Sequence, residues 1–379
     1  MRYFFIPFAT LITLAAQAQK IDLDIMIGQM IMTGIPDYQE SIVREQLYED
    51  IELGKIGGVV LFEKNIPKEN PGEGLSRMIY EIQGKTDIPL LIAIDEEGGK
   101  VNRLKPKYGF YKPPSAMRLG EINDTDSTLY YSEKTAATLV SIGINLNFAP
   151  VVDVNINPSN PIIGGKGRSF SSDYIKVIKH AKAYIKGHDR YRIGTTLKHF
   201  PGHGSSQSDT HLGIADVSET WVIEELFPYQ ELIDEGMARS VMTSHVVNRA
   251  LDHQKKPATL SSKTVTGLLR GHLGFEGVVF SDDMQMKAIA THFGFEESIE
   301  LAINADIDII IFANNVVEDN IVQAKTIHST IKTLVNNGKI EKSQIEDSYN
   351  RIMNFKKELG LLGPDVKGID IKLQKRFDD

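Results

Sequence analysis

"GTTLKHFPGHG", residues 194–204, begins as a β-strand and ends as a turn. Gly194-Thr195-Thr196-Leu197 reads as the start of a short strand, and Lys198 and His199 arrive where that strand gives out. Phe200-Pro201-Gly202 then excludes a helix, because proline lacks the N–H donor and glycine holds no fixed conformation. The chain continues "SSQSDTHLGI" over residues 205–214, so Lys198, His199, His203, Asp209 and His211 share one strand end and loop. Three of the chain's 10 histidines fall there.

The same design recurs along the sequence. Apolar, β-branched runs occupy 29–35, 56–62, 89–95, 144–149, 194–199, 240–245, 277–282 and 306–312. Near-continuous apolar character marks strands buried on both faces. Helical patterns lie between them at 73–84, 126–142, 173–187, 219–235 and 259–272. Strand–helix alternation implies right-handed βαβ units and a parallel sheet. Eight strands predict an α/β fold of the (β/α)8 TIM type, with a doubly wound open sheet as the competing architecture. Polar residues stand at or just past five strand ends, namely Asp95, Asp153, Lys198-His199, His245 and Asp282. A barrel gathers all its strand ends around one pocket, whereas an open sheet gathers only those beside its switch point. Closing helices are expected at 319–336, with Asp319 as N-cap, and at 341–359. The prediction is a single domain over residues 19–362, followed by a charged tail at 363–379.

Composition narrows the function. With 379 residues the chain is long enough for a full core, and a net charge of -8 argues against a nucleic-acid partner. The absence of cysteine excludes disulfides, thiolate metal sites and thiol nucleophiles. The opening "MRYFFIPFATLITLAAQAQK" has one arginine before an apolar run, then a small-residue Ala16-Gln17-Ala18 site. It reads as a signal peptide over residues 1–18, giving an exported, periplasmic or secreted protein with no stable membrane insertion after cleavage. An uncleaved anchor is the alternative, although the run is short for a membrane span.

Four stretches carry chemistry. In "FEGVVFSDDMQM" (275–286) a strand runs into Asp282-Asp283, and only one of the pair can face the barrel. That carboxylate suits a nucleophile, a metal ligand or a helix N-cap. In "LLIAIDEEGGKVNRL" (90–104) Asp95 can accept two hydroxyl hydrogen bonds, and Arg103 offers a planar donor fork or a surface salt bridge. "NPSNPIIGGKGRSF" (157–170) is rich in turn formers and carries Arg168. Asp209-Thr210-His211 brings a carboxylate within reach of an imidazole, a pairing that fixes the tautomer and raises basicity.

Together, "KHFPGHG" followed by "DTH", with "IDEEGG" upstream and "SDDMQM" downstream, resembles glycoside hydrolase family 3, and in particular its single-domain bacterial β-N-acetylglucosaminidases. The resemblance implies a retaining, two-step mechanism through a covalent glycosyl-enzyme. It assigns Asp282 as nucleophile, His211 as acid/base and Asp209 as its tuning partner. Sugar-binding roles fall on Asp95, Arg103, Arg168, Lys198 and His199, with a GlcNAc-containing oligosaccharide as substrate and neither metal nor cofactor. Under this reading the glycine-rich segment from Pro201 to Gly204 lets the loop fold over bound sugar, and His203 packs within it.

Two departures bear on the site. Gly165-Lys166-Gly167 lengthens the link to Arg168 and calls its reach into question, and Lys100 stands where the family often has arginine. Other readings stay open: a β-glucosidase or β-xylosidase, a phosphorylase of the same family, a metal-dependent barrel hydrolase using His199, His203, His211 and His245, or a non-catalytic sugar-binding protein.

Overall fold

The computed structural model describes residues 21–35, 41–210, 213–315 and 321–363. Eight parallel strands form a closed barrel: β1 (Ile31–Gly34), β2 (Gly58–Leu61), β3 (Leu91–Ile94), β4 (Leu146–Asn147), β5 (Gly194–Thr195 and Leu197–Phe200), β6 (Ser240–Thr243), β7 (Val278–Asp283) and β8 (Ile309–Phe312). Neighbours pair in chain order, and β1 also pairs with β8. Closure runs through β5, whose first segment pairs with β4 and whose second pairs with β6. Across the break at Thr196 the contact with the β4 side persists, since Thr196 N–H donates to the Ala149 carbonyl at 3.0 Å and Val152 N–H to that of Lys198 at 2.9 Å. The fold is therefore the predicted barrel and not the open sheet.

The strands are short because both faces are buried: all four residues of β1, β2, β3 and β8 are buried. Helices Pro71–Gln83, Thr125–Ser141 and Tyr174–Asp189 pack outside, matching the predicted periodicity. The expected strand at 144–149 shrinks to Leu146–Asn147. The predicted helix at 259–272 begins only at Lys263 and winds as a π-helix. The predicted helix at 219–235 splits into a single turn at Ile223–Glu225 and a helix at Phe227–Asp234, because its first half is drawn toward the loop after β5. Trp221 Nε1 donates to the Pro201 carbonyl at 3.0 Å, and Glu225 is fully buried. Ala324–Asn336 and Lys342–Glu358 close the chain, and Asp319 lies outside the described residues.

The end of the barrel at which strands begin is sealed by Leu23–Gln29 and Lys342–Glu358. Buried Lys356 donates from Nζ to Gln29 Oε1 at 2.6 Å and to the Gly57 carbonyl at 3.0 Å. Burial pushes this ammonium down to about 7. The opposite end, where the strands finish, carries the polar residues. No described helix is long and apolar enough to cross a membrane.

Candidate active site

Charged side chains from three successive strand ends lock into one continuous network. Asp95, directly after β3, accepts from Lys198 Nζ at 2.7 Å and from Arg103 Nη2 at 3.2 Å. Lys198, in β5 and 1% exposed, also lies 2.6 Å from Glu97 Oε1. Glu97 in turn accepts from both arms of Arg168, Nε at 2.8 Å and Nη2 at 2.7 Å, the bidentate geometry that favours arginine. Arg168 Nη2 then meets His199 Nε2 at 3.0 Å, and His199 Nδ1 meets Asp153 Oδ2 at 2.7 Å.

This order fixes protons. A guanidinium only donates, so His199 Nε2 must accept and the ring proton sits on Nδ1, donated to Asp153. Burial works against the charge of Asp95, but Lys198 and Arg103 outweigh it and hold the carboxyl well below the usual range. Glu97 is likewise opposed by burial and held down to about 2 by Arg168 and Lys198. Asp153 stays low as well, because His199 and His203 outweigh its burial. The result is a rigid, ionised floor of alternating cations and carboxylates.

The five predicted sugar-binding residues, Asp95, Arg103, Arg168, Lys198 and His199, are thus brought together. The longer link before Arg168 does not prevent its reach: Lys100 Nζ donates to the Gly165 carbonyl at 2.9 Å and holds the added turn in place. Glu97 and Asp153 were not assigned to the site from sequence, yet Glu97 joins Lys198 to Arg168 and Asp153 anchors His199. Glu96 next door serves the scaffold, accepting the backbone N–H groups of Arg103 at 2.8 Å and Leu104 at 3.0 Å, and burial pushes it up to about 7.

At the end of β7 the two aspartates separate in role. Asp283 Oδ1 accepts the backbone N–H of Ala313 at 3.0 Å and of Gln285 at 3.1 Å, which ties β7 to the end of β8. Asp282 is half-buried at the mouth of the barrel, and its Oδ1 accepts the backbone N–H of Asp283 at 2.8 Å. His245, at the end of β6, uses Nδ1 with Thr259 Oγ1 and Nε2 with the Asp283 carbonyl, both at 2.9 Å. Among the described residues no cluster of three or more His, Asp or Glu is arranged to hold a metal.

The loop after β5 is anchored at its root. His203 is 2% exposed, donates its backbone N–H to Asp153 Oδ1 at 2.8 Å, and is pushed down to about 4 by burial, with His199 adding to the effect. A Cβ on Gly204 would lie 1.7 Å from the Val154 carbonyl oxygen. This glycine therefore permits close packing of the loop root against the chain after β4. Asp209 is half-buried further along, and His211 lies outside the described residues. The chain returns where Ala215–Asp216 pairs with Val246–Val247.

A family model, the glycosyl hydrolase family 3 N-terminal domain, matches residues 22–355. The chain belongs to glycosyl hydrolase family 3. It is 37% identical over 263 residues to the β-hexosaminidase of Tolumonas auensis, covering 69% of this chain and 76% of that protein. It is 31% identical over 333 residues to β-hexosaminidase A of Pseudoalteromonas piscicida, 83% of this chain but 55% of the relative. Among solved structures, a family 3 β-N-acetylglucosaminidase from Paenibacillus sp. str. FPU-7 superposes with a TM-score of 0.81 at 31% identity, covering 90% of this chain and 64% of that one. In this family 3 glycoside hydrolase the charged network and Asp282 share the rim that barrel enzymes use for catalysis.

Proposed function

We propose that this glycoside hydrolase is a retaining, exo-acting β-N-acetylglucosaminidase. It removes non-reducing terminal GlcNAc from peptidoglycan fragments or chitin oligosaccharides after export and loss of residues 1–18, through the catalytic unit at 19–362. The observation that carries the reading is the network from Arg103 through Asp95, Lys198, Glu97 and Arg168 to His199. Its fixed donors and acceptors, on the same rim as Asp282, suit the hydroxyls of a sugar. The relatives named β-hexosaminidase lend it support.

In the first step an Asp282 carboxylate oxygen attacks the anomeric carbon. The bond to the leaving oxygen breaks as His211 gives that oxygen a proton. In the second, His211 takes a proton from water while the water oxygen displaces Asp282, so configuration is retained and both groups return to their starting state. Asp209 steadies the imidazolium, the form of His211 before the first step and after the second. The floor is rigid, so little reorganisation is needed when a sugar binds.

The test is turnover of an aryl β-N-acetylglucosaminide by the protein from Gln19 onward after exhaustive EDTA treatment, with the anomer of the first product read by NMR. Release of the β-anomer supports the assignment. An α-anomer, or activity returning only with added zinc, rejects it.

A further inference from the structure

The segment that delivers Asp209 and His211 leaves β5 at Phe200, and four of its backbone N–H groups point at two buried carboxylates. Asp153 Oδ1 takes those of His199 at 3.2 Å and His203 at 2.8 Å. Glu225 Oε2 takes the next two, Gly204 at 2.9 Å and Ser205 at 3.3 Å. Glu225 is 0% exposed and arrives from the turn Ile223–Glu225, outside the sheet. Its carboxylate lies inside the curve of the loop, since a Cβ on Gly202 would fall 2.8 Å from Oε2.

A core position has no use for such a group. Among the described residues no lysine or arginine forms an ion pair with Glu225, and Oε1 is buried without a hydrogen-bond partner. Burial, with Asp153 nearby, pushes Glu225 up to about 7. The groups that act on it are Asp153, the buried Tyr229 and the Gly204 and Ser205 amides, none of them a fixed cation. Burying a carboxyl without a counter-charge is costly, and such violations concentrate where function requires them. Further along, Thr210 is buried with Oγ1 3.5 Å from His203 Nε2, and in sequence it immediately precedes His211.

We infer that Glu225 is a positioning residue for the acid/base, holding the Gly204 and Ser205 amides at the root of the loop whose sequence runs on to His211. The inference rests on the assignment of His211 as acid/base. Glu225→Asp withdraws the carboxylate by one methylene, whereas Glu225→Gln keeps an acceptor oxygen at full reach. Misplacing an acid catalyst penalises poor leaving groups most.

The experiment measures kcat/KM of wild type, E225D, E225Q and H211A on chitobiose and on a dinitrophenyl β-N-acetylglucosaminide. General acid catalysis contributes typically about 10²–10⁴-fold, so E225D should lose about 10²-fold on chitobiose and less than about fivefold on the activated substrate. E225Q should recover most of that loss. Equal losses of E225D on both substrates, or no loss, overturn the inference while H211A still shows the split. If H211A itself shows no split, the acid/base assignment fails first and takes the inference with it. Should E225D not fold, hydrogen exchange on the wild type decides. Gly204 and Ser205 amides as protected as those of Leu197–Phe200 support the anchor, and fast exchange there overturns it.

Discussion

Replacing Glu97 with glutamine keeps the shape of the side chain and removes one charge from the middle of the network. Glu97 holds two bonds from Arg168, at 2.8 and 2.7 Å, and one contact with Lys198 at 2.6 Å. Its side chain is 5% exposed, so water cannot replace what is lost. Removing one partner of a buried pair typically costs about 3–5 kcal/mol. The lower end applies, because Lys198 keeps Asp95 at 2.7 Å and Arg168 Nη1 keeps the Ile162 carbonyl at 3.3 Å. At about 2 °C per kcal/mol for a domain of this size, a loss of about 3 kcal/mol lowers Tm by about 6 °C. Arg168 is also left free to swing away from His199, and misplacement of a positioning group by about 1 Å can cost about 10²-fold in rate. Calorimetry and kcat/KM on an aryl β-N-acetylglucosaminide read the two effects together. A Tm within about 1 °C of wild type and activity within about twofold would show that the network is not held through Glu97 and refute the reasoning.

Asp282→Ala should abolish turnover, whereas Asp283→Ala should retain it within about tenfold and lose about 1–2 kcal/mol of stability with its two backbone bonds; the reverse pattern in a paired activity and urea-unfolding assay would make Asp283 the nucleophile. Gly204→Ala drives a methyl into the Val154 carbonyl and should cost at least about 3 kcal/mol or prevent folding; a stable, less active variant would restore the hinge reading. Lys356 has its folded value below the free-lysine 10.5, at about 7, so the unfolded chain binds more protons between those limits. Stability should therefore rise with pH across that window by up to about 1.4 kcal/mol per unit, and Lys356→Met should remove that rise. Equal slopes for both proteins in urea titrations from pH 7.5 to 9.5 would reject the assignment.

The strands were legible because burial on both faces writes itself as runs such as Leu91–Ile94 and Ile309–Phe312, and because a polar residue stands at or just past five of the strand ends. Motif resemblance singled out Asp95, Arg103, Arg168, Lys198 and His199, which the structure brings together, but the contacts linking them were not legible. Glu97 reads locally as one of two acidic residues after Asp95, and nothing local reveals that its partner Arg168 stands 71 positions away. Glu225 was hidden differently. It falls in a stretch with helical periodicity, and only the pull of Trp221 and Glu225 toward the loop after β5 unwinds that stretch. Gly202 and Gly204 read as freedom in sequence, yet the structure uses them for proximity. Sequence pattern reports what each residue prefers, whereas the site depends on which distant group claims it.

Arg103, Lys198 and Arg168 alternate with Asp95, Glu97 and Asp153, and His199 bridges Arg168 to Asp153. Three positive groups against three negative ones make the floor electroneutral, so its field dies away within a few ångströms instead of reaching into solvent. An uncharged sugar is therefore neither steered in from afar nor shielded by salt, and its capture depends on contact alone. Sugar capture at this floor is thereby insensitive to the ionic strength of the medium.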